Sequence, residues 1–205
     1  LFGGSYTASF LVSLQLAVVS VLIALALATP AAFALARYPF AGRSALLAFW
    51  LLPLSLPQIV IGVGMLKLLQ IYVAIPAFLG LVGIHVVVIL PFVIALLTTS
   101  VQALDRAQEE AADSLGAGPI RRFLLVTLPA LAPGLFAAGV IGFLMSFGEV
   151  TVTSFLTTAR MTTLPVRIYS EATTLEPTAH AISALLIVAT VVTLWLVGRV
   201  VRLDR

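Results

Sequence analysis

The side chains able to do chemistry in this sequence fall into two groups. The first lies between Asp105 and Arg122, in the run Glu109-Glu110-Ala111-Ala112-Asp113-Ser114-Leu115-Gly116-Ala117-Gly118-Pro119. Acidic residues and alanines at its start suit the positive end of a short helix. Gly116 and Gly118, followed by Pro119, suit its termination. Such a helix could hold small residues close against a partner, or it could be an ordinary capped loop helix at an interface. The second group centres on Glu149, which follows 26 uncharged residues. An ionisable group at that depth in an apolar run faces protein or water. Ser146, Met145 and Gly142 lie three, four and seven positions before it, so a helix would place all four on one small, partly polar face. That face suits a translocation path or a subunit contact, and its acid suits a cationic solute. The other reading puts Glu149 at an interface, paired with Arg160 or Arg167. Pro57 and Gln58, with Pro53, interrupt another apolar run. They form either a broken helix lining a path or a packing kink.

Other chemistries find little support. There is no cysteine, which excludes disulfides and thiolate sites. His85 and His180 stand singly in apolar surroundings, without metal-ligand spacing, and read as hydrogen-bonded packing residues. No Ser/His/Asp triad or acid pair is apparent. The phosphate-loop pattern G-x-x-x-x-G-K-[ST] is absent. The expectation is a non-catalytic chain with no cofactor of its own.

The elements that position these groups are set by composition. The 205 residues are 61% hydrophobic and only 9% charged, against about 25% charged in a soluble domain. Uncharged stretches run from Leu1 to Ala36, Ser44 to Leu66, Leu68 to Leu104, Phe123 to Gly148 and Pro177 to Gly198. Each exceeds the roughly 20 residues a helix needs to cross a bilayer. The reading is an all-α membrane protein, a bundle of five transmembrane helices over Thr7–Ala36, Ser44–Leu69, Leu81–Ala103, Phe123–Glu149 and Pro177–Val200. An interfacial connection covers Ile71–Gly80 and a mixed, Thr-rich one covers Thr151–Glu176. The whole chain reads as one domain, with residues 105–122 as its cytoplasmic segment. The net charge of +3 and pI of 9.8 reflect loop charges and not nucleic-acid binding. Arg37, Arg43, Arg106, Arg121, Arg122, Arg199, Arg202 and Arg205 fall on one side of this five-span count, and Lys67, Arg160 and Arg167 on the other. The first side is therefore expected to be cytoplasmic, with the N-terminus outside and the C-terminus inside. Lys67 is expected to snorkel to the outer interface. Gly62, Gly64, Gly139 and Gly142 permit close helix packing.

Glu110-Ala111-Ala112, then Gly116, then Val126-Thr127-Leu128-Pro129 resemble the EAA motif, E-A-A, three residues, G, nine residues, I-x-L-P. That motif marks the permeases of binding-protein-dependent ABC importers. Val126 in place of Ile is the one departure. Ala34 to Arg43, Ser146-Phe147-Gly148-Glu149, Thr153-Ser154-Phe155-Leu156 and Leu164 to Tyr169 are similar to the second permease of spermidine/putrescine-type importers. The resemblance implies a type I importer permease fold in a bacterial inner membrane, with six spans in the full family and an N-terminal span missing here. It implies a second permease, identical or paralogous, an extracytoplasmic solute-binding protein, and ABC ATPase subunits that use ATP-Mg. It assigns ATPase docking to Glu110, Ala111, Ala112, Asp113, Gly116, Leu128 and Pro129, with Glu110 as polar anchor, Ala111 and Ala112 as the close-packed face and Gly116 as the turn. The substrate path would be lined by Glu149, Ser146, Met145, Gln58 and Pro57, for polyamine or a related small solute. A secondary transporter or channel working without an ATPase is the alternative. It calls for an inverted repeat with paired intramembrane charges, and neither is detectable.

Overall fold

The computed structural model describes residues 4–71, 75–158, 161–172 and 177–203. The described residues form helices α1 (Gly4–Arg37), α2 (Arg43–Ser55), α3 (Gln58–Ile71), α4 (Ala77–Ala103), α5 (Arg106–Ser114), α6 (Pro119–Arg122), α7 (Leu128–Phe147), α8 (Thr153–Leu156), α9 (Leu164–Ala172) and α10 (Pro177–Leu203), with a π turn at Phe123–Thr127 joining α6 to α7.

Helices α1, α4 and α7 make the central bundle. Their contact is built on small residues, as lipid provides no hydrophobic drive between helices. Ala24, Ala28 and Ala32 recur every fourth residue of α1 and are fully buried beside Ile89, Val93 and Leu97 of α4. Gly142 of α7 completes the crossing. A Cβ there would sit 3.3 Å from Val93 and 3.5 Å from Val21. The side chains facing outward are the apolar ones a bilayer would solvate, among them Leu22, Leu27, Leu185, Val188 and Val191.

The expected second span is a broken pair. Helices α2 and α3 meet at 97°, far beyond a proline kink. The cause is local. Leu56 precedes Pro57 and is pushed to extended backbone, with φ −94° and ψ 138°, so the helix stops and restarts at Gln58. Among the described residues three helices are long and apolar enough to cross a membrane, and the bent pair is a fourth if counted as one span. Helix α10 adds the apolar stretch His180–Trp195. Helix α4 starts at Ala77, earlier than expected. The fourth span is displaced toward its N-terminus, running from Pro119 to Phe147, so Glu149 lies just beyond it. The connection after it holds the two short helices α8 and α9.

The π turn has a cause in the sequence. Pro129 has no N–H to give the carbonyl four residues back, and its ring crowds that carbonyl. The helix widens there, and the Leu128 N–H reaches the Phe123 carbonyl.

Candidate functional site

Two polar assemblies stand at opposite ends of the bundle. The first gathers the end of α1, helix α5 and the π turn. The Asp105 carboxylate caps α5 by accepting from the Ala107 N–H at 2.9 Å. Its other end closes as a Schellman turn: Gly116 N–H donates to the Asp113 carbonyl and Ala117 N–H to the Ala112 carbonyl. That turn needs a left-handed residue, and Gly116 has φ +81°.

Helix α5 is tied inward by Glu109. Its carboxylate accepts from the Thr127 hydroxyl at 2.8 Å and lies 3.6 Å from the Arg37 guanidinium. Asp113 pairs with Arg122. A cleft of about 430 Å³ lies between these elements, lined by both signs of charge, including Arg37, Arg106, Glu109 and Asp113. Glu110 and Ala111 are exposed, whereas Ala112 is buried. Adjacent helical residues point about 100° apart, so within this chain Ala112 packs inward and Ala111 faces out. Leu128 is half-buried and Pro129 is exposed. Leu115 and Ile120 project outward, 89% and 76% exposed.

The second assembly lies at the far end. Glu149 sits in the turn after α7 and caps α8. Its Oε1 accepts from the Val152 N–H and its Oε2 from the Thr153 N–H, each at 2.8 Å. The Thr153 hydroxyl donates to the same Oε2. His85 of α4 stands behind it, 2% exposed. Its Nε2 is 3.0 Å from the Thr153 hydroxyl and its Nδ1 is 2.7 Å from the Ser146 hydroxyl. Starting from the donor end, the bonds run one way: Ser146 to His85, His85 to Thr153, Thr153 to Glu149. A neutral imidazole with its proton on Nε2 satisfies every member of that chain.

The alternative pairing of Glu149 with Arg167 is not made. Arg167 donates to the Ser9 hydroxyl of α1 and pairs with Glu171; Arg160 lies outside the described residues. Glu149 stays close to two of the other expected path residues. With Gln58 and Met145 it lines a cleft of about 240 Å³, which adjoins a second one bounded by Pro53, Gln58 and Met145. Ser146 turns away to His85. Pro57 lies outside both linings and makes the break between α2 and α3. Sequence reasoning missed Glu109 as an inward tie and Thr153 as the link to His85. The second had a local signal, an acid four residues before a threonine that opens a short helix.

The chain is similar to known transport proteins. The family profile described as "binding-protein-dependent transport system inner membrane component" matches residues 24–203. The putrescine transport system permease protein PotI of Escherichia coli is 30% identical over 186 residues, covering 85% of this chain. The chain spans only 65% of that relative's length. The spermidine/putrescine transport system permease protein PotC of Escherichia coli is 30% identical over 181 residues, covering 88% of this chain and 69% of the relative. The molybdenum transport system permease protein ModB of Haemophilus influenzae is 36% identical over 174 residues, 77% of this chain and 76% of that one. A crystal structure of an amino acid ABC transporter superposes with a TM-score of 0.65 at 19% identity, over 96% of this chain and 92% of that one, which shows a shared fold. The matched profile, the relatives and the fold agree: the chain belongs to the family of inner membrane components of binding-protein-dependent transport systems.

Proposed function

We propose that this chain is the permease subunit of an ATP-driven importer, docking to a cytoplasmic ATPase through α5 and passing a small solute between its helices. The observation that carries this is the outer surface of α5 and the turn after it. Glu110, Ala111, Leu115 and Ile120 stand exposed at the arginine-rich end of the bundle. Apolar side chains this exposed outside the membrane-facing belt call for a protein cover. Within the segment the ends are fixed by Asp105 and Gly116, and the inward tie is Glu109, so the surface is rigid enough to transmit a push. The arginine-rich end is cytoplasmic on this reading, with the N-terminus outside. ATP-Mg is used by the ATPase, a second permease completes the path, and an external binding protein delivers the solute.

The solute is proposed to be cationic, a polyamine or a related small molecule. Glu149 is the one charged residue among those lining the cleft it shares with Gln58 and Met145, and two relatives are named for putrescine and spermidine. The relative named for molybdenum makes an oxyanion the competing choice. In the assembled transporter, Glu110→Lys and Gly116→Pro are expected to abolish solute-stimulated ATP hydrolysis while the subunit still inserts. Unchanged stimulation would overturn the docking reading. Uptake of putrescine over molybdate supports the cationic solute, and the reverse preference rejects it.

A further inference from the structure

We propose that Glu149, Thr153 and His85 form a polar latch that seats α8 on the broken helix α3, with Thr153 and His85 as positioning residues for the outer gate of the path. The inference rests on the transport reading above.

The seat itself is a single close approach. Gly62 is the buried residue of α3, and the Phe155 ring of α8 lies over it. A Cβ at Gly62 would come within 2.6 Å of that ring. Neighbouring Ile59, Val60 and Val63 of α3 face outward. Helix α3 is therefore held here by what holds α8. Helix α8 has only four residues, too few to be stable by itself. Its first N–H groups end on Glu149, and its Thr153 hydroxyl joins Glu149 to His85. His85 is anchored in the central bundle through Ser146 of α7. The chain of bonds thus runs from the rigid core to the one short helix that grips α3.

Gate and cleft are joined because Gln58, the first residue of α3, lines the cleft with Glu149. Release of α8 removes its hold on α3 at Gly62 and so shifts the cleft wall, while Ile61, Met65, Leu66 and Leu69 keep α3 on the bundle. A polar latch suits such a step. Losing one member leaves its buried neighbours unpaired, so the state half way is costly and the contact is either made or broken. Thr153 and His85 do not line the cleft, so their effect is separable from solute recognition.

The absence of cysteine makes the test direct. Gly62→Cys and Phe155→Cys are introduced together and oxidised in the assembled transporter. The disulfide is expected to form, to stop ATP hydrolysis, and to release it on reduction. Adding Thr153→Val or His85→Gln is expected to slow disulfide formation about tenfold, the weight of one buried hydrogen bond to a charged network. Thr153→Ser keeps the hydroxyl and should restore the parent rate. Equal rates in the parent, Thr153→Val and His85→Gln would overturn the latch. So would hydrolysis undiminished by the disulfide. Should the valine and glutamine variants not assemble, a tenfold loss in Thr153→Ser would overturn it as well. Failure of the transport reading looks different: the parent complex would then show no solute-stimulated hydrolysis at all.

Discussion

Glu109 and Glu149 make an instructive pair, because each accepts a hydrogen bond from a threonine hydroxyl at opposite ends of the same bundle. Glu109 receives Thr127 and lies beside Arg37, with 22% of its side chain exposed. Water and a countercharge share the work of satisfying it. Glu149 is 8% exposed and accepts two backbone N–H groups and the Thr153 hydroxyl. Nothing replaces those donors' acceptor if the carboxylate goes. The same motif is therefore an adjustable tie at one end and a fixed strut at the other. The exposed Glu110, one position from Glu109, is neither, since its surroundings within this chain are open.

That contrast can be broken by substitution. Glu149→Leu should have the largest effect. It leaves two buried N–H donors without an acceptor, each costing about 1–3 kcal/mol, and reversible unfolding in lipid bicelles should register a loss of about 2–6 kcal/mol. Thr153→Val should cost about 1.5 kcal/mol, the weight of a hydrogen bond to a charged group, and expose the α8 amides to hydrogen exchange. Thr127→Val should cost about 1 kcal/mol or less in the same unfolding assay, because Arg37 and solvent still serve Glu109. If the two threonine variants cost the same, the distinction between tie and strut fails. Glu110→Gln should fall within about 0.5 kcal/mol of the parent, as surface changes do. Its effect should appear in solute-stimulated ATP hydrolysis.

The two ends also differed in how far the sequence revealed them. Helix α5 was legible because its determinants are local: Asp105 two residues from the N–H it caps, Gly116 at the left-handed position, and alanines between. The membrane class followed from long uncharged runs, and the fold agrees with that of a solved amino acid ABC transporter. The partner of Glu109 was hidden because Thr127 is 18 residues away and reachable only through the turn after α5. The network around Glu149 was hidden for the same reason on a larger scale. His85 meets Ser146 across 61 positions and Thr153 across 68, and no local pattern encodes such a meeting. The break at Pro57 was visible as an interruption, but two prolines in one apolar run do not tell a kink from a right-angle turn. Leu56 in extended backbone decides it.

The π turn at Phe123–Thr127 carries a geometric corollary. Each π turn admits one residue more than an α turn would, so the helix beyond it is rotated by roughly 100° relative to an unbroken one. The side chains of α6, next to α5, and those of α7, inside the bundle, are thus set to different bearings around one axis. Deleting one residue within the turn would reset that bearing without altering either end's composition. The helix would then act like a key cut correctly at both ends and twisted in the middle, presenting Gly142 away from Val21 and Val93.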